Sequence, residues 1–174
     1  MKTKTIAFLV IAAVVMSTAV VGMAMAAKDG QAGKSNVAHL YLYEKTGLPD
    51  WDIVEDGAWG KMKYNLEGPT FDVVFNGHGL EPSTEYTLIY YADPWPGTGG
   101  CDIVSGTSNE GGNIHLANSV DIGTIPVGTD ANDEAKIWLV LSDDYDADND
   151  KMSGWDVSEY LFESNLITYE DTDV

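Results

Sequence analysis

From Val37 onward, hydrophobic and polar residues alternate with a period of two in one short run after another. A strand with one buried and one wet face imposes that alternation, because successive side chains point to opposite sides. Val37–Tyr43 is the first such run. In the second, residues 59–66, Met62, Tyr64 and Leu66 face one way and Lys61, Lys63 and Asn65 the other. Phe71, Val73 and Phe75 alternate with Asp72, Val74 and Asn76, and Tyr86, Leu88 and Tyr90 continue the pattern after a glycine-rich corner. Residues 101–107 and 113–121 predict two more strands with Asn109-Glu110-Gly111-Gly112 as their turn. The run 135–142, A-K-I-W-L-V-L-S, is almost continuously apolar, which places it in the centre of a sheet.

Turn chemistry separates these runs. Glu67-Gly68-Pro69-Thr70 joins the second and third as an antiparallel hairpin. Residues 93–100, D-P-W-P-G-T-G-G, form a loop, as do 47–56, 124–133 and the acidic segment 143–150. Asp156-x-x-Glu159 has capping-box spacing and predicts a helical turn over 157–162, with a last strand at 165–169. Seven to eight short strands at fairly regular spacing, with at most one short helical turn, predict an all-β protein. The expected architecture is an Ig-like or Greek-key β-sandwich in a single domain over 37–174.

The N-terminus follows other rules. Lys2 and Lys4 precede an uncharged apolar stretch from Thr5 to Val21, and Ala24-Met25-Ala26 supplies a cleavage signal. Residues 1–26 are expected to be a signal peptide. The competing assignment is an uncleaved anchor, since 5–27 is long enough to cross a bilayer. Residues 27–36 form a Gly, Ser and Lys leader with little to bury. Removing Lys2 and Lys4 takes the formal charge from −19 to −21, and the chain contains no arginine. Such a surface repels nucleic acid and anionic lipid, leaving the N-terminus as the expected membrane contact. Export predicts an extracellular or cell-surface location. With one cysteine, Cys101, there is no internal disulfide, and that thiol is either buried and inert or paired between chains.

Gly79-Leu80-Glu81-Pro82-Ser83-Thr84-Glu85-Tyr86-Thr87-Leu88 resembles the tyrosine corner of fibronectin type III modules, in which an L-x-P-x-T-x-Y run turns from one sheet into the other. The resemblance implies that the Tyr86 hydroxyl bonds backbone upstream and that Leu80 plugs the core. It ends after about ten residues, because four or more strands follow Tyr86 where that family has about one. More widely, W-G-K-M-K-Y at Trp59, F-N-G-H-G-L-E-P at Phe75, the D-P-W-P loop, A-K-I-W-L-V-L-S and E-Y-L-F-E-x-N-L-I-T-Y resemble short exported proteins of methanogenic archaea. That resemblance implies an envelope protein and no particular activity.

Candidate chemistry is sparse. Asp144, Asp146, Asp148 and Asp150 place carboxylates at alternate positions of one loop, the spacing by which a tight turn collects oxygens for Ca²⁺. The EF-hand pattern is half met, since Asn149 stands where the glycine belongs and Trp155 where the closing Glu belongs. A solvated acidic loop is the alternative. His39, His78 and His115 invite a transition-metal site with Cys101, but no H-x-H, C-x-x-C or H-x-x-x-H pair exists. Trp95 between two prolines and Trp51 beside Pro49 either present aromatic faces to a sugar or protein, or close the end of the sandwich. Ser105 and Ser108 lack a nucleophile-elbow context. The expectation is a non-enzymatic surface module for binding or adhesion, calcium-stiffened at the acidic loop, with a protein or carbohydrate ligand. The alternatives are an envelope subunit that polymerises through a sheet edge and the leader, and a secreted metal-dependent hydrolase using the histidines.

Overall fold

A computed structural model describes residues 35–173. The expected signal segment 1–26 and leader residues 27–34 lie outside the described residues. Twelve strands form: β1 Val37–Tyr43, β2 Trp59–Asn65, β3 Glu67–Gly68, β4 Phe71–His78, β5 Glu85–Tyr91, β6 Cys101–Thr107, β7 Ile114–Val120, β8 Lys136–Leu141, β9 Tyr145–Asp146, β10 Lys151–Met152, β11 Leu161–Glu163 and β12 Glu170–Asp171. Single 3₁₀ turns occupy Ser142–Asp144 and Val157–Glu159. Among the described residues no helix is long and apolar enough to cross a membrane.

Eight strands make one antiparallel sheet in the order β6-β5-β8-β11-β1-β2-β4-β7. The sheet folds over, so that β6-β5-β8-β11 faces β1-β2-β4-β7 across a shared core. Its two edges meet: the Asn118 side-chain amide on β7 donates to the Ile103 carbonyl on β6 at 2.7 Å. Leu42, Met62, Phe71 and Phe75 from one half meet Leu88, Ile103 and Leu139 from the other, all essentially inaccessible to water. Burying each such side chain contributes about 1.5–3 kcal/mol, the largest favourable term available to a chain with no disulfide.

The chain crosses between halves at the predicted corner. Gly79 turns at φ +76°, a conformation that suits glycine. The Tyr86 hydroxyl accepts from the Glu81 amide at 3.2 Å, and Leu80 is buried in the core. Ser108 locks the same corner, donating to the Glu81 carbonyl at 2.5 Å and accepting from the Thr84 amide at 3.0 Å. Gly77 has a different reason to be glycine. It pairs across strands with Gly60, and a Cβ on Gly60 would sit 2.2 Å from the Phe75 ring. The two glycines make the room that ring occupies.

β8 is buried on both faces, as its unbroken apolar run requires. Ile137 and Leu139 enter the main core, while Trp138 and Val140 enter a second apolar cluster outside the sheet. The predicted helical turn over 157–162 is confined to Val157–Glu159, and Leu161–Glu163 instead forms β11, between β8 and β1. Tyr160, Leu161 and Phe162 are all buried, Leu161 in the main core and Tyr160 and Phe162 in the second cluster, because the segment runs between two apolar layers. The capping spacing is used otherwise: the Asp156 carboxylate accepts from the Ser158 hydroxyl at 2.7 Å. Residues 165–169 contribute isolated bridges at Ile167 and Tyr169, and β12 then pairs in parallel with β3. Where the chain enters the domain, the Asn36 side chain accepts from the Leu66 and Glu67 amides and donates to the Glu67 carbonyl at 2.7 Å.

Candidate functional site

The second cluster is built on the outward residues of β5, β8 and β11: Ile89, Tyr91, Trp138, Val140 and Phe162. Alternation in these strands yields large apolar groups on both sides, so the outer side needs a cover. Segments 47–51, 93–97 and 142–160 supply it. Tyr91 stacks on Trp138 at 3.9 Å with 12° between the rings, and Phe162 meets Trp138 edge-on at 5.3 Å. Trp155 is the hub above them, 5.9 Å from Trp138, 5.7 Å from Tyr160 and 6.1 Å from Trp51. Trp95 stands perpendicular to Trp155 at 5.6 Å, with an interplanar angle of 88°.

This base is buried and its top is open. Trp95 is 53% exposed and Trp155 45% exposed, so two indoles form a right-angled corner facing solvent. Trp51 holds the far side, its ring edge-on to Phe162 at 5.1 Å. Its backbone sits at φ +54°, where a bulky side chain is strained by about 1–3 kcal/mol. The bond from its amide to the Gly47 carbonyl at 2.9 Å fixes that turn.

Polar groups border the platform. Asp93 pairs with Lys136 and accepts from the Asn132 amide at 2.6 Å. Burial works to raise the Asp93 carboxyl, but those two partners hold it below the usual range. Lys136 also lies 5.9 Å over the Tyr91 ring. At the end of β11, Glu163 has one carboxylate oxygen enclosed without a partner. Burial pushes its carboxyl up to about 7 against the pull of Lys45 and Lys136.

The acidic loop adjoins the platform but does not form a cage. Asp144 turns inward, where its carboxylate accepts from the Tyr160 hydroxyl at 2.5 Å. Asp146 accepts from the Asn149 side chain at 2.8 Å, while Asp148 and Asp150 point to solvent. Among the described residues no three His, Cys, Asp or Glu side chains converge on an ion position. The four aspartates singled out by their spacing thus take three directions. Beneath them Tyr145 is buried with an unpartnered hydroxyl, its pKa raised first by burial and then by the charge of Asp150.

The histidines occupy the other outer face, on β1, β4 and β7. His78 and His115 are diagonal neighbours, each with Nδ1 at an asparagine oxygen: Asn113 at 2.7 Å and Asn76 at 2.8 Å. His39 lies in the row of Lys63, Val74 and Ala117, apart from both. Cys101 lies in the opposite half of the sheet, its thiol pushed up to about 12 chiefly by burial, so it is a poor nucleophile and ligand at neutral pH.

The chain matches no family model, no curated protein and no solved structure.

The neighbouring prolines mark Trp51 and Trp95 in the sequence, whereas Trp155, there only the residue in place of an EF-hand's closing Glu, is the one that joins them. Its signal was there: M-S-G-W is an apolar interruption directly after the acidic run. Chemically, flat π-faces bordered by carboxylates and amides suit a ligand with one apolar face and a hydroxyl-rich rim.

Proposed function

We propose that this protein is an exported, non-enzymatic binding module of the cell surface or extracellular space, and that the corner of Trp95 and Trp155 takes a carbohydrate. The observation that carries this is the pair of exposed, perpendicular indoles fixed on a second aromatic core. Single exposed apolar residues are common on protein surfaces, but two adjoining half-exposed indoles form a contiguous aromatic patch of the kind that marks a binding site. Asp93 and Asp156 beside the rings are acceptors for sugar hydroxyls. Export is supported by the basic, apolar and A-x-A order of residues 1–26.

Titrating neutral and acidic oligosaccharides while following tryptophan emission tests the proposal. Trp95 touches the platform only through Trp155 among the aromatic contacts, so Trp95→Ala is expected to keep the melting temperature. It should weaken binding about thirtyfold, the loss of one aromatic anchor. A glycan panel that leaves the emission unchanged, or a Trp95→Ala variant that binds as tightly, would refute it. The same proposal gives the loop a weak Ca²⁺ association through the exposed Asp148 and Asp150. Millimolar calcium should then raise the melting temperature relative to chelator, and an unchanged melt removes the ion.

A further inference from the structure

The two outer faces of the folded sheet are unequal. The face of β5, β8 and β11 is covered by the aromatic cluster and the acidic loop. The face of β1-β2-β4-β7 has no layer over it among the described residues. Register aligns its outward side chains in rows: Tyr43, Trp59 and His78 in one, Tyr41, Lys61, Asn76 and His115 in the next. Tyr41 and Tyr43 stack at 6.2 Å, and Lys61 lies 5.4 Å over the Tyr41 ring. Of the eight large hydrophobic residues that are exposed among the described residues, four belong here: Val37, Tyr41, Trp59 and Val74.

Charge separates this face from the rest of the molecule. The chain has 28 acidic residues, yet Asp72 is the one carboxylate pointing out of these four strands. That carboxylate is engaged by the hydroxyls of Ser119 at 2.5 Å and Thr70 at 3.1 Å. Lys61, Lys63 and all three histidines of the chain are here. Enrichment in aromatics with loss of Asp and Glu is the composition of an interface core. A shallow depression of about 510 Å³ crosses it, between Val37, Lys63, Val74 and Ser119.

We propose that this protein assembles head to tail, the bare face of one copy receiving the acidic-loop side of the next. The complement is in the same molecule, since Asp143, Asp148 and Asp150 stand exposed beyond the opposite face of the same core. For a chain of charge −19, this is the surface on which its like can land without setting carboxylate against carboxylate. At about 0.15 M salt the Debye length is about 8 Å, so net repulsion is screened while contact pairs still act. Donor and acceptor faces lie back to back, so the contact is heterologous and propagates as a row or closes as a ring. It differs from strand donation at a sheet edge, because the contact uses the outward side chains of a face and not the free backbone groups of β6 or β7.

Sedimentation velocity of the full chain, as processed on export, tests this over a concentration series at neutral pH and about 0.15 M salt. Wild type is expected to grow beyond a dimer with concentration. Lys61→Glu with Lys63→Glu, and separately Asp143→Lys with Asp148→Lys, should each weaken association roughly tenfold or more while keeping the wild-type melt, all measured in chelator so that calcium at Asp148 plays no part. Mixing the two variants should restore assembly, since each then offers the other a complementary face. A strict monomer throughout, a dimer that ignores the lysine changes, or a mixture no larger than its components overturns the proposal. So does a monomer that instead binds an acidic polysaccharide through Lys61 and Lys63.

Discussion

Glu163 is a carboxylic acid whose surroundings favour its neutral form. Its ordinary value is 4.5, and burial lifts it to about 7 in the fold. A carboxyl raised on folding costs nothing below its unfolded value, and it withdraws stability as pH rises from about 4.5 through 7. Glu163→Gln should therefore be more stable than wild type at pH 8, by about 1–3 kcal/mol, and melt higher, with the gap closing towards pH 5. Thermal melts at both pH values check it, and an equal gap at each would show that the enclosed oxygen is not the cause. Nothing in E-Y-L-F-E separates this glutamate from a solvated one. Its environment comes from Lys45, Lys136 and Trp138, residues far away in sequence. Trp51 and Trp95 could be picked out by composition, but their partnership through Trp155 is a product of packing.

At the scale of elements, the tyrosine corner was legible because its chemistry is local. Leu80, Pro82, Thr84 and Tyr86 specify a turn within seven residues, and the Glu81 amide meets the Tyr86 hydroxyl as that motif requires. Tyr86→Phe should cost about 1 kcal/mol, the usual net value of one hydrogen bond. Ser108→Ala should cost more, since it removes partners from both the Glu81 carbonyl and the Thr84 amide. Urea unfolding ranks the two, and a Ser108 variant as stable as wild type would show the corner closes without it. The runs that became β6 and β7 were equally legible as strands, but their pairing was not. They flank one turn yet join opposite edges of the sheet: β6 pairs with β5, the strand just before it, while β7 reaches back to β4 in the other half. β11 was missed because the Asp156–Glu159 spacing argues for a helix, while Tyr160 to Phe162 are claimed by two apolar layers at once.

For the whole molecule, the sequence pattern supported an all-β fold, since period-two runs with frequent turns permit little else. That the two halves are one continuous sheet depends on β11 bridging β8 and β1, a contact no local pattern encodes. The acidic surface sets how the molecule answers salt. Its like charges repel at low ionic strength, so raising NaCl from about 0.02 to 0.5 M should raise the melting temperature by several degrees as screening shortens to a few ångströms. A melt that falls over this range would mean that ion pairs such as Lys136–Asp93 outweigh the repulsion.

The Asn36 clamp has a mechanical meaning. Tension arriving through the preceding residues reaches the domain at Asn36, where side-chain and main-chain bonds fasten it to Leu66 and Glu67. Behind it β1 is held on one side by β2 along its full length and on the other by β11. A pull along β1 must shear this ladder rather than peel an edge, and shear loads many hydrogen bonds together. A domain tethered by that end would resist drag at its weakest attachment, without a disulfide to carry the force.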